Sequence, residues 1–134
     1  MSTALWPLQV AIVTKLHADP VLDGLVSGVY DHVPEGTAYP YVTVGSITEL
    51  PDDAHNQRGL ATRVVLHTWA EYRGNKQTAE ILAALDAVLD RQPLAVPGWT
   101  DISIAAEQHQ TVKDPDPTIR HINSRYRVWL TKEA

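Results

Sequence analysis

The chain is 134 residues long, 44% apolar and 20% charged, which suits one domain with a buried core and is too short for two. It has no cysteine, which excludes disulfides, thiolate metal sites and cysteine nucleophiles. Eleven Lys+Arg against 16 Asp+Glu leave a formal charge of −5, the wrong sign for sequence-independent binding to phosphate backbones.

The N-terminus, MSTALWPLQVAIVTKL, lacks a basic leader and an A-x-A cleavage site, so it reads as an amphipathic helix rather than a signal peptide. Ser2 or Thr3 is placed to cap it, and Pro7 is tolerated in its first turn. Leu5, Leu8, Ile12 and Leu16 recur at helical spacing as one buried stripe, with Val13 beside it. Asp19-Pro20 either stops this helix or starts a short second one through Leu25-Val26. Val29 to His32 reads as a short strand.

Tyr39 to Leu50 is the first long strand. Alternation puts Tyr41, Thr43, Gly45 and Ile47 on one face and Val42, Val44 and Ser46 on the other. Pro40 has no ladder donor, which places the start of that strand at an edge or outside the pairing. Pro51 to Gly59 is polar except for Ala54 and reads as a mobile loop. Leu60 to Tyr72 is its partner strand, with Thr62, Val64, Leu66 and Thr68 on one face and Arg63, Val65, His67 and Trp69 on the other. Apolar bulk on both faces marks a central strand.

Gly74-Asn75 ends that strand, and Asn75 or Thr78 caps a second main helix running to about Asp90. Its apolar stripe is Ile81, Leu82, Leu85, Val88 and Leu89. After Pro93 and the Pro97-Gly98 turn, Trp99 to Gln110 alternates as a strand. The turn Lys113 to Pro117 joins it to the last strand, Thr118 to Thr131. Short turns make the hairpins antiparallel. The expected fold is therefore α+β: an antiparallel or mixed sheet of four to five strands, with two main helices packed on one face. No apolar run approaches the roughly 20 residues that span a bilayer, and a soluble chain without a membrane partner is expected.

Sites of chemistry are sparse. The seven glycines show neither dinucleotide nor P-loop spacing, and no G-x-S-x-G elbow occurs. His67 is either a packed histidine on a central strand or a general base or ligand. His109 and His121 flank the acidic turn and could face each other across the last hairpin, where Asp114 or Asp116 would complete a weak divalent site. Those carboxylates serve equally well as turn caps. Asp31-His32 is no dyad, because neighbours on a strand point to opposite faces. No catalytic or metal residue and no cofactor is assigned. Arg120, Arg125, Arg127 and Lys132, interleaved with Tyr126 and Trp129, give the last strand a distinct composition. Arg125, Arg127 and Trp129 share a face. They form either a ridge that pairs with acidic groups of a neighbouring subunit or a solvated edge face.

Four features recur in a set order: a first helix ending His17-Ala18-Asp19-Pro20; Tyr30 to Gly36 (YDHVPEG) followed by Tyr39 to Gly45 (YPYVTVG); His67-Thr68-Trp69 followed by a helix; and Asp114 to His121 (DPDPTIRH) leading into an arginine-rich strand. In this order, over roughly Leu5 to Leu130, the chain resembles the small tail-completion (tail-terminator) proteins of long-tailed bacteriophages. The resemblance implies a structural role without enzymatic activity. Such proteins form a ring, typically hexameric, on the head-proximal end of the tail tube, where they stop tube growth and present a surface to the filled head. It implies a virion protein made in the host cytoplasm, with tube and connector proteins as partners. DNA passes through such a ring without specific binding.

A ring closes when one edge of each subunit meets a different edge of its neighbour. The candidate edges are the Arg120–Lys132 strand, with Arg120, Arg125, Arg127 and Trp129, and the acidic stretch with Asp52 and Asp53. His55, Asn56, Gln57 and Arg58 are candidates for ordering on the tube or connector. A head–tail connector adaptor or minor tail protein fits the same residues. A small α+β enzyme or ligand-binding domain using His67 is the reading from another class.

Overall fold

The computed structural model describes residues 3–54, 56–71 and 75–133. Ser2, His55, Tyr72, Gly74 and the Asn75 side chain, on which parts of the reading above fall, lie outside the described residues. The elements in chain order are α1 (Leu5–Ala18), α2 (Pro20–Leu25), β1 (Val29–Tyr30), β2 (Tyr41–Pro51), β3 (Gly59–Glu71), α3 (Asn75–Leu89), β4 (Trp99–Lys113) and β5 (Ile119–Lys132).

Leu8, Ile12 and Leu16 of α1 are buried as their spacing requires. Leu5 is not: it is 45% exposed, and Ala4, four residues before Leu8, takes the buried place on that stripe. Thr3 accepts the Leu5 N–H through Oγ1 at 3.1 Å, an orphan donor of the first turn. Asp19-Pro20 starts a second helix. Asp19 accepts the Leu22 N–H at 2.9 Å, and Pro20 occupies the first helical position. Thr78 is no cap, being buried inside α3 beside Ile81, Leu85 and Leu89.

The five strands form one mixed sheet in the order β1-β2-β3-β5-β4. β1 pairs parallel with β2, and the remaining pairs are antiparallel. The helices cover one face. Their buried side chains meet Val42, Val44, Leu60, Val64, Leu66, Ile104, Tyr126, Val128 and Leu130 in a single core. Pro40 lies just outside the ladder and β1 reaches only Val42 and Thr43, so the proline is accommodated as expected.

Two features differ from strict alternation and hairpin order. The β2–β3 register shifts between Val44 and Ile47, which turns Ile47 from the open face to the core side, opposite Val64; an inserted residue reverses every side chain beyond it. The arginine-rich strand is not an edge. β5 pairs with β3 from Gly59↔Thr131 to Glu71↔Ile119 and with β4 on its other side. The edge strands are β1 and β4. Residues 52–58 close the β2–β3 hairpin through reciprocal Ala54–Gln57 bonds of 2.9 and 3.2 Å, with Pro51 and Gly59 inside the strands.

Candidate functional site

The helices leave the second face of the sheet open, and alternation along β3 and β5 decides what stands on it. Even-numbered residues of β5 from Ile122 to Leu130 are buried against the helices, and the odd-numbered ones are half-buried on the open face. Arg125, Arg127 and Trp129 therefore do share a face, with Arg63 opposite Arg127 on β3. Arg125 donates from Nε to Glu107 at 3.0 Å and from Nη2 to Gln108 at 2.8 Å. Arg63 Nε lies 3.4 Å from the same Glu107 oxygen. The Arg127 guanidinium sits 5.0 Å from the Trp129 ring centroid, a cation–π contact. Two guanidinium groups thus share the Glu107 carboxylate while the third rests on Trp129, and the ridge carries excess positive charge in an otherwise acidic chain.

Arg120 does not join this ridge. It pairs with Lys113 near the far end of the last hairpin and lines a groove of about 900 Å³ on the helix side, with Thr78, Leu82 and Val112. Asp52 and Asp53 lie at the ridge's end of the sheet, in the loop before Gly59. Asp53 Oδ1 accepts the Gly59 N–H at 3.1 Å, so one of the two candidate carboxylates closes its own hairpin. Asn56, Gln57 and Arg58 are exposed in that loop, and the Arg58 carbonyl accepts the Lys132 N–H at 2.7 Å.

Toward the other end of the open face, His67 Nδ1 and His121 Nε2 are 2.8 Å apart. His121 stacks on Trp69, with centroids 3.7 Å apart and planes 14° apart, and Trp69 Nε1 donates to Thr43 Oγ1 at 3.1 Å. One imidazole donates and the other accepts, so the bond exists only while the pair shares one proton at that contact. Burial, and then the His67 charge, hold the His121 pKa below 6.5, against the pull of Asp114. This is a packed pair, with His67 lying against the backbone at Gly45.

His109 and His121 do not face each other. His109 turns to the helix side: its Nδ1 is 2.7 Å from Ser124 Oγ, and its Nε2 is 2.9 Å from Asp86 Oδ2 on α3. The divalent site suggested around the acidic turn therefore loses one of its imidazoles. Ser124–His109–Asp86 has the order of a nucleophile, base and orienting acid, but Ser124 is fully buried and a nucleophile has to reach its substrate. Tyr126 completes the group by donating its O–H to Asp86 at 2.6 Å; burial first, then Asp86, push its pKa far up. The four residues lock α3 to the sheet. No spacing in the sequence could have found them, since they come from three elements far apart in the chain. Among the described residues, no group of three or more His, Asp or Glu stands together as a metal site.

The α+β layer thus has one open face that is charged and aromatic, and on its helix side a polar group whose serine is fully buried while His109 and Asp86 remain partly exposed. The profile of the family described as tail completion protein gp17 matches residues 10–131, and the chain belongs to that family: it is a structural protein of the phage-type tail, located in the virion. No curated protein matches it. Its fold is similar to that of a chain in the virion of the native gene transfer agent particle, with a TM-score of 0.86 and 22% identity over 98% of this chain and 99% of that one. It is also similar to the gp17 protein of bacteriophage SPP1, with a TM-score of 0.51 and 22% identity over 99% and 97%.

Proposed function

We propose that this protein caps the head-proximal end of the tail tube as a ring, ends tube growth and forms the surface to which the head joins. The match of the tail-completion family to residues 10–131 carries the reading. Its partners are further copies of itself, the tube protein and a head-completion or connector protein. Its role is structural rather than catalytic: the reading rests on the tail-completion family, and Ser124, which would be the nucleophile of the Ser124–His109–Asp86 group, is fully buried. Subunits associate through the face that carries Arg125, Arg127 and Trp129, with Asp52 and Asp53 at its end of the sheet and Arg120 on the opposite, helix side. The loop residues Asn56, Gln57 and Arg58, with His55, meet the tube or connector. The net charge of −5 lets DNA pass without sticking, as like charges repel.

The test is the solution mass by light scattering over a range of concentrations, alone and with the tube protein. A discrete ring-sized species is expected for the wild type, and a folded monomer for Arg125→Glu/Arg127→Glu. Unchanged assembly by that double variant rules out the arginine face as the contact.

A further inference from the structure

The arginine ridge lacks enough acid of its own, and the complementary acid stands where the same chain cannot deliver it. At the tip of the β4–β5 hairpin, residues 114–118 form a short turn in which the carboxylates of Asp114 and Asp116 alternate with Pro115 and Pro117. Asp114 Oδ1 accepts the Asp116 N–H at 2.9 Å. Asp116 Oδ1 accepts the Thr118 N–H at 2.9 Å and its hydroxyl at 2.7 Å. Those two bonds keep the Asp116 carboxyl below its ordinary pKa, so it is charged at neutral pH. The turn is held in shape before anything binds, which lowers the ordering cost of contact.

The tip is also sided. Asp116 overlooks the open face, beside a cavity of about 460 Å³ shared with Tyr39, Tyr41 and Trp69, and Asp114 at the very tip borders both that cavity and the groove on the helix side. Lys113 and Arg120, paired across the hairpin, border the groove on the helix side instead. Arg127 is nine residues of strand from Thr118, about 30 Å at roughly 3.3 Å per residue. Turn and ridge lie on one rigid hairpin and cannot meet within a copy. Among the described residues, Arg127 makes no ion pair; its guanidinium rests on Trp129.

We infer that the acidic turn 114–118 of one copy docks on the Arg127–Trp129 ridge of the next, an inference that rests on the ring reading above. Two different surfaces of one chain then meet head to tail, the heterologous contact that closes a ring. The turn, rather than Asp52-Asp53, supplies the acid, because those residues lie at the ridge's own end of the sheet and Asp53 is spent on Gly59.

The test uses the full chain and its own assembly. Arg127→Glu and Asp114→Lys/Asp116→Lys are prepared separately, with circular dichroism and thermal melting as folding controls. Each alone associates at least ten-fold more weakly than the wild type. An equimolar mixture restores the ring, because the unaltered turn of one variant meets the unaltered arginine of the other and the reversed pair meets at the next contact. Asp114→Asn/Asp116→Asn keeps the acceptors of the turn without its charge, so it weakens association even if the lysine variant fails to fold. Wild-type assembly by Arg127→Glu or by the Asn variant overturns the contact and leaves the ring standing, as does a mixture of folded variants that stays dissociated. A wild type that forms no ring alone or with tube protein overturns both.

Discussion

At Gly45 the β2 backbone runs so close to β3 that a side chain has nowhere to go. A Cβ there would collide with His67 Nε2 and lie 2.7 Å from Cδ2 and 3.0 Å from the Val65 carbonyl. Gly45→Ala is therefore expected to cost about 1–3 kcal/mol through overpacking, measured by urea unfolding. His67→Ala in the same chain returns part of that loss, since the imidazole is the main obstacle; strictly additive costs would argue against this packing. The His67–His121 bond adds a pH dependence. The folded chain binds the His121 proton less readily than the unfolded chain does, so stability is complete above about 6.5 and falls as the pH drops from there toward the lower folded value. Urea midpoints between pH 7.5 and 5.5 should decline more steeply for the wild type than for His121→Gln, and equal slopes would refute the assignment. His67 and His121 were each visible in the sequence as histidines on strands. Their contact was not, because it depends on which two strands lie side by side.

Helix α3 shows what periodicity settles and what it misses. Ile81, Leu85 and Leu89 are fully buried or nearly so, as a 3.6-residue repeat demands. The polar clamp on this helix and the turn just after it is independent of that repeat. Asp86 accepts from Tyr126, Asp90 Oδ1 accepts the Ala106 N–H at 2.8 Å, and the Arg91 N–H reaches the Ile104 carbonyl at 2.8 Å. These last two bonds pin β4 between its two register shifts, Thr100/Ser103 and Ala106/Gln108. Tyr126→Phe removes one donor from a partly sheltered carboxylate and should cost about 1–3 kcal/mol, read from chemical denaturation; a change under about 0.5 kcal/mol would mean the clamp adds nothing. In β2, alternation was legible up to Val44 and failed beyond it, since a bulge is a property of the pairing rather than of either strand.

At the scale of the molecule, Arg125, Arg127 and Trp129 could be grouped from their spacing alone, since every second residue of a strand shares a face. The nature of the surface they form could not. Both hairpins follow from turn chemistry, yet nothing local says whether β4 or β5 lies against β3. The last strand in the chain reads naturally as the outermost strand. The fold instead inserts it at the centre, where its even positions, Tyr126, Val128 and Leu130, complete the core. That places the arginines on a sheet face rather than along a free edge, and any subunit contact they make is between side chains and not through an extended ladder.

Composition, periodicity and turn residues were thus enough for the α+β class, the two main helices, the hairpins and the family to which the chain belongs, because each depends on neighbours within a few residues or on the order of short motifs. Strand order, the bulge at Ile47, the pairing of His67 with His121 and the sealing of Ser124 came from the folded chain. They are fixed by which apolar faces can be buried together across the whole sheet, a sum over contacts between residues distant in sequence.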